Sequence, residues 1–155
     1  MTFNNLLRYG YNTATILLLL GAITSTVHAA DSVKLALGVN NKGELKFNKE
    51  KLAVKAGQKV SLVFTNSSPK DGGMQHNWVL TQPGKDGAVA QNGMSAGPDK
   101  GYLADSPDVL AHSKLLTPDQ TEAIEFTAPA QAGNYPYICT FPGHYPSMKG
   151  VLTVQ

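Results

Sequence analysis

The residues with the clearest chemical potential lie close together near the C-terminus. Cys139, His144 and Met148 follow one another at C-x4-H-x3-M spacing, and Pro142 and Gly143 predict a turn between the first two. If the chain leaves a strand at Cys139 and loops back, a thiolate, an imidazole and a thioether approach one point. A thiolate, two imidazoles and a distant thioether form the ligand set of a trigonal type 1 (blue) copper centre. This interpretation therefore requires a second histidine.

Two further histidines follow residue 29, His76 and His112. Alternation along a strand places His76, Trp78 and Leu80 on one face. Because tryptophan and leucine favour the core, His76 should point inward, where a metal and a hydrogen bond would engage its two ring nitrogens. His112 lies outside the C-terminal loop and is interpreted as a surface or packing histidine. We therefore expect one copper ion to be held by His76, Cys139, His144 and Met148.

Each candidate ligand also has an ordinary interpretation. Cys139 could be a small buried hydrophobic residue, His144 an exposed loop residue and Met148 a core residue. Their occurrence together at this spacing, with an upstream histidine at the start of a strand, favours the metal site. Cys139 is also the single cysteine, so it cannot form a disulfide within the chain. In an oxidising compartment a metal would occupy such a thiol.

The N-terminus has the pattern of an export signal. A polar segment containing Arg8 precedes an apolar run from Ala14 to Ile23, and small residues follow up to Ala29. The alternative is a retained membrane anchor, but an apolar run of this length is too short for a bilayer core that needs roughly 20 residues. We therefore expect residues 1–29 to be a cleaved signal peptide and residues 30–155 to form one periplasmic domain without stable membrane insertion.

The remaining chain is dominated by period-two alternation, which indicates an all-β sandwich or barrel of seven or eight strands. Residues 40–43 read as a turn. The stretch from Gly84 to Leu116 is rich in Gly and Ala, and we interpret it as a long excursion with short helical turns near Ala88–Asn92 and Lys100–Ala104. The predicted strands are 33–39, 45–47, 52–54, 60–65, 77–81, 123–127, 135–140 and 151–155.

Charge excludes one class of function. The net charge is +2: the 13 basic residues are Arg8 and 12 lysines, and they are set against 11 acidic residues. Nucleic-acid binding usually needs a strongly basic, arginine-bearing face, and the sequence has none. We expect no nucleic-acid partner.

Several segments resemble the azurin-like branch of the cupredoxins. The run Cys139-Thr-Phe-Pro-Gly-His144, followed by Met148-Lys-Gly, resembles the azurin copper loop, and Met74-Gln-His-Asn-Trp-Val-Leu80 resembles the segment with the first histidine ligand. Residues 93–100 and 110–115 are also similar to azurin in matching order. Ile138–Tyr145 is also similar to auracyanins. The resemblance covers most of the chain from about Val60 to Val154.

This resemblance implies a Greek-key β-sandwich with copper near one end. It implies His76, Cys139 and His144 as equatorial ligands and Met148 as a weak axial ligand. Azurins also bring a backbone carbonyl near the metal; the matching residue here is Gln75, where azurins have glycine, so this contact is an open expectation. Asn77 matches an asparagine that ties the two ligand segments together. The N-terminal disulfide of azurins cannot form in this chain.

The function implied is a single-electron carrier that switches copper between Cu(I) and Cu(II). With three histidines after residue 29, and two of them claimed by one centre, no second copper site of the kind found in copper enzymes is available. We therefore expect a monomer that is not an enzyme, with a copper-binding or storage protein as the alternative. Redox partners should dock transiently at an apolar patch around His144, formed by Met74, Met94, Pro142, Gly143, Tyr145 and Pro146.

Overall fold

The computed structural model describes residues 32–40 and 44–155. The predicted signal peptide at residues 1–29, and residues 41–43 of the predicted turn, lie outside the described residues. Within the described part, eight strands and one α-helix are present, together with two 3-10 turns at Lys70–Gly72 and Pro98–Lys100. The elements are β1 (Val33–Gly38), β2 (Lys51–Val54), β3 (Lys59–Thr65), β4 (Val79–Thr81), α1 (Asp86–Ala96), β5 (Val109–His112), β6 (Thr121–Thr127), β7 (Gly133–Ile138) and β8 (Lys149–Val154).

The strands form two sheets, and the predicted β-sandwich is confirmed. One sheet has the order β1-β3-β6 and the other the order β2-β8-β7-β4-β5. The pairs β1–β3 and β2–β8 are parallel, and the other pairs are antiparallel. Since β4 and β7 are neighbours although β5 and β6 lie between them in sequence, the chain crosses between sheets, as a Greek-key sandwich requires.

The core lies between the sheets and follows the predicted alternation. On β3 the side chains of Val60, Leu62 and Phe64 are fully buried, whereas the intervening Val63 is 38 % exposed. Trp78 is also fully buried and packs near Phe126 and Tyr137 on opposite sheets. Burial of this many aliphatic and aromatic side chains, at about 1.5–3 kcal/mol each, holds the fold without a disulfide.

Two strand predictions need correction. The predicted strand at residues 45–47 is wrong: Phe47 makes only an isolated bridge to Val39. Conversely, strand β5 is present although the sequence does not predict it, because it lies inside the stretch interpreted as an excursion. It has one β-branched residue and follows a proline, and its pairing with β4 shifts register at Leu80. Its strand character therefore comes from pairing with β4 rather than from its own residue types.

The helical segment is also longer than predicted. Helix α1 has 11 residues, whereas a short turn near 88–92 was expected, and a 3-10 turn at 98–100 replaces the turn expected at 100–104. No side chain caps its N-terminus. Val89, Ala90 and Gly93 are buried, and Val89 and Ala90 pack with Val79 and Ile138 of β4 and β7. Packing against the sheet therefore stabilises a helix that its own sequence predicts weakly.

Candidate metal centre

Three of the four predicted ligands gather at one end of the sandwich. The sulfur of Cys139 lies 3.6 Å from Nδ1 of His144 and 3.9 Å from Nδ1 of His76. The two imidazole rings have centroids 4.8 Å apart. All three residues are buried, and their ligand atoms lie within 4.8 Å of one another. Residues 63 positions apart in the sequence thus present one sulfur and two nitrogens to a common point.

The chain between Cys139 and Met148, which we call the ligand loop, is closed by backbone hydrogen bonds. Cys139 N donates to Met148 O at 3.0 Å, and Met148 N donates to His144 O at 2.8 Å. His144 N in turn donates to Phe141 O at 3.0 Å. Gly143 has φ +83°, a left-handed conformation that glycine adopts without strain. The loop therefore holds the imidazole of His144 beside the thiol from which the loop begins.

His76 reaches the site through an irregular pairing that precedes β4. Its backbone exchanges two hydrogen bonds with Leu116, at 3.0 and 2.8 Å. Trp78 N then donates to the side-chain oxygen of Ser113 rather than to a ladder carbonyl. The strand predicted from residue 77 therefore begins only at Val79, and His76 stands just outside the regular sheet.

Asn77 joins the two segments that carry ligands. Its Nδ2 donates to Thr140 Oγ1 at 2.7 Å, its Oδ1 accepts from Thr140 N at 2.8 Å, and Nδ2 also lies 3.3 Å from Gly101 O. Both Asn77 and Thr140 are 1 % exposed. The side chain next to His76 is thus fixed to the residue next to Cys139.

Burial sets the protonation states of the three residues. Desolvation lowers the pKa of His76 to about 4, helped by its neighbour His144, and burial also lowers the pKa of His144. Burial raises the pKa of the Cys139 thiol to about 11, although the backbone N–H groups of Asn77 and Phe141 oppose this rise. At neutral pH the imidazoles are therefore uncharged and ready to bind a metal, whereas the thiol must first lose its proton.

The remaining predicted residues occupy different positions. Met148 is fully buried at the end of the ligand loop, and Gln75 is half-buried beside His76. Their contact with a metal stays a prediction. His112 is exposed at the end of β5 and does not belong to the His76, Cys139 and His144 cluster.

The predicted apolar patch is divided between two clefts. Met94, Gly143, Tyr145 and Pro146 line a cavity of about 260 Å³ between α1 and the ligand loop. Met74 instead lines a cleft of about 190 Å³ that also includes His76. Both methionines are exposed, at 43 % for Met74 and 52 % for Met94, whereas His144 is 5 % exposed.

Sequence reasoning missed several residues that shape the site. Asn66 is fully buried, and its Nδ2 donates to the carbonyls of Met74 and Leu116, both at 2.9 Å. Thr140 accepts one hydrogen bond from Asn77 and donates another to it, and Asp86 accepts one from Tyr145. Thr140 stands next to Cys139 and could have been suspected from that position. Asn66 and Asp86 lie far from the ligands in sequence, and no sequence signal marks them.

The donor set fits copper. One soft thiolate and two neutral imidazoles, with a buried methionine at the end of the same loop, match the residues that hold type 1 copper. The site is buried, as a centre that excludes water requires, and Asn77 supplies the outer support that metal sites commonly have.

The comparison with protein families agrees with this donor set. Residues 33–155 match the model of copper binding proteins of the plastocyanin/azurin family. The chain therefore belongs to this family of blue copper proteins, the cupredoxins, whose cofactor is copper and which typically transfer electrons.

Within this family, the chain is similar to auracyanins and azurins. The chain is 46% identical over 125 residues to Auracyanin-A of Chloroflexus aurantiacus, covering 78% of this chain and 75% of the relative. It is 35% identical over 140 residues to an azurin of Bordetella pertussis, covering 86% and 91%. The solved structure of auracyanin A, a "blue" copper protein, superposes with a TM-score of 0.73 at 44% identity, covering 81% of this chain and all of that one. The predicted resemblance is confirmed.

In the part of the chain that the structure describes, no helix has the length and apolar character needed to span a membrane.

Proposed function

We propose that His76, Cys139 and His144 bind one type 1 copper ion and that Met148 adds a weak axial thioether. The observation that carries this proposal is the approach of the Cys139 sulfur to both imidazoles, 3.6 and 3.9 Å from the two Nδ1 atoms in a buried cluster. Gln75 is proposed as a further contact through its backbone carbonyl. The role of Asn77 is to hold His76 and Cys139 in register through Thr140.

With this site the protein would carry single electrons between redox partners rather than act as an enzyme. Bound copper supplies a one-electron Cu(I)/Cu(II) couple. The chain positions the ligands, excludes water from the thiolate and brings His144 close to the surface. A relative whose solved structure superposes on this chain with a TM-score of 0.72, the auracyanin of Roseiflexus castenholzii, has been obtained in a dithionite-reduced form. This fact supports a redox role for the present chain.

Partners would dock at the apolar surface around His144. Met74 and Met94 are the most exposed large apolar side chains among the described residues, and Gly143 and Pro146 are also exposed. Exposed methionines adapt to several partners, and a small apolar contact releases quickly. We propose that the protein acts as a monomer at this surface, completed by Pro142 and Tyr145.

The protein would act in the periplasm after removal of residues 1–29. The support is the sequence pattern alone, a polar start followed by an apolar run and small residues. Isolating the protein from a periplasmic fraction and determining its first residue tests this step. A mature chain beginning at Ala30 is expected, and a protein that keeps its first residues in the membrane fraction would refute it.

The copper proposal is tested by adding Cu(II) to purified apoprotein. Charge transfer from the thiolate should give an intense blue colour and an EPR spectrum with narrow copper hyperfine splitting, and Cys139→Ser should abolish both. His112→Gln is the matched control, because that histidine lies outside the cluster, and it should change neither signal. Voltammetry then separates the two functions: a reversible one-electron couple supports the carrier, whereas bound copper without such a couple identifies a copper-binding or storage protein.

A further inference from the structure

Tyr145 connects the ligand loop to helix α1. Its hydroxyl donates to Oδ2 of Asp86 at 2.8 Å, although the two residues are 59 positions apart. Asp86 is the first residue of α1, where a carboxylate also interacts favourably with the helix N-terminus. Since Tyr145 directly follows His144, this bond fixes the ligand loop one residue away from a proposed ligand.

The surroundings of the tyrosine fit this connection. Its ring packs on the cluster formed by Val79, Val89, Ala90 and Ile138, and Lys149 Nζ lies 5.4 Å above the ring centroid. A Cβ at Gly87 would stand 3.3 Å from the hydroxyl oxygen, so the first turn of α1 lies close to the tyrosine side chain. The ring thus contacts residues of the helix and of the sheet, with the lysine ammonium over its face.

We propose that Tyr145 is a positioning residue for the metal site, and that Asp86 is its anchor. The inference rests on the proposed copper function. Within the ligand loop, the backbone hydrogen bonds of Cys139, His144 and Met148 are made inside the loop, and Asn77 attaches the loop only at Thr140, beside Cys139. These bonds do not attach the outer part of the loop to the domain. The hydrogen bond to Asp86 supplies that attachment, and because the acceptor is a carboxylate it is stronger than a neutral one. Through this hydrogen bond helix α1 restrains the position of His144, in addition to packing against the sheet.

The first test measures the loop in the apoprotein. Tyr145→Phe removes one oxygen and leaves the packed ring in place. We expect the amides of His144, Ser147 and Met148 to exchange with solvent hydrogen about fivefold faster in this variant. Tyr135→Phe is the matched control, because the Tyr135 hydroxyl donates over a similar 2.9 Å to Gln131 O on another loop. It should leave exchange in the ligand loop unchanged.

The second test measures the metal site itself. In copper-loaded protein, Tyr145→Phe should speed loss of copper to a chelator about tenfold, the usual lower size of effect for an outer support of a metal ligand. Asp86→Ala should have the same effect, the double variant should be no faster than either single one, and Asp86→Asn should stay near the wild type because its amide oxygen still accepts. A merely structural loss would show neither this non-additivity nor this rescue.

The outcomes separate the two proposals. If the protein binds no copper, the proposed function fails, yet the exchange measurement still decides whether Tyr145 holds the loop. If loop exchange is unchanged in Tyr145→Phe, or if the effects of Asp86→Ala and Tyr145→Phe add independently, the positioning role is overturned even in a fully functional copper protein.

Discussion

Asn77 offers the sharpest test of how the site is held together. In Asn77→Ala the side chain that joins the two ligand segments is lost, while all proposed ligands stay. Two short hydrogen bonds to Thr140, at 2.7 and 2.8 Å, and a longer one to Gly101 O at 3.3 Å disappear. Because Thr140 is 1 % exposed, its amide N–H loses its acceptor in a place that water does not readily reach.

The expected cost follows from these contacts. Each hydrogen bond contributes about 1 kcal/mol net, and a buried donor left without a partner costs about 1–3 kcal/mol. We therefore expect Asn77→Ala to lower the free energy of unfolding of the apoprotein by about 3 kcal/mol. For a domain of this size the melting temperature should fall by about 10 °C. Copper affinity should also drop, by about 10- to 100-fold.

Urea unfolding of the apoprotein, followed by far-UV circular dichroism, measures the first quantity. Asn134→Ala is the matched control: the Asn134 Oδ1 accepts from Thr153 Oγ1 at 3.0 Å on an exposed part of the sheet. Its loss should cost less than about 0.5 kcal/mol. If Asn77→Ala is no more destabilising than this control, the asparagine does not tie the ligand segments together and our account of the site is wrong.

Four further predictions follow from burial and packing. Gly150→Ala should lower the free energy of unfolding by about 3 kcal/mol or more, since the added Cβ would overlap the ring of Tyr137. Gly57→Asn, at an open position with positive φ, should lower it much less in the same urea assay. The free energy of unfolding of the apoprotein should decrease as the pH falls from 6.5 to about 4. Over this range the imidazole of His76 takes up a proton in the unfolded chain but stays neutral in the folded chain. A urea midpoint that rises on acidification would contradict the low pKa of His76. Trp78 fluorescence should lie far to the blue, because its indole is fully buried and Nε1 has no hydrogen-bond partner among the described residues, and emission typical of a hydrated indole would refute its placement. Binding of Cu(II) at pH 7 should release about one proton, from the Cys139 thiol with its pKa of about 11. Calorimetry in buffers of different ionisation enthalpy measures this number, and a release of no proton or of two protons would contradict the prediction.

The fold was predictable wherever strands carry their own alternating pattern. Residues 60–65 alternate clearly, and β3 spans Lys59–Thr65. The prediction failed where an element depends on its neighbours: β5 becomes a strand by pairing with β4, and α1 extends to 11 residues because the sheet covers its buried side. Residues 45–47 alternate in the same way, but the only pairing in this segment is the isolated bridge between Phe47 and Val39, so no strand forms.

The site was predictable for a different reason. Cysteine, histidine and methionine at this spacing have few other uses in combination, so chemistry restricted the choice even before any geometry was known. The supporting residues escaped because asparagine and aspartate have many ordinary roles. Asn66 holds the carbonyls of Met74 and Leu116 across 8 and 50 positions of sequence, and such contacts exist only after the sheets have formed.

These supports bear on the choice between an electron carrier and a copper store. Each ligand segment has its own attachment: Asn66 and Leu116 fix the approach to His76, Asn77 fixes Thr140 beside Cys139, and Tyr145 fixes the outer part of the loop. These contacts join protein groups to one another, so they restrain the segments that carry the ligands. A store that takes up and gives back its ion gains nothing from such rigidity, since release is easier when ligands can move apart. A carrier needs its ligands to stay in place while the charge of the ion changes, and the bonding around this site favours that role.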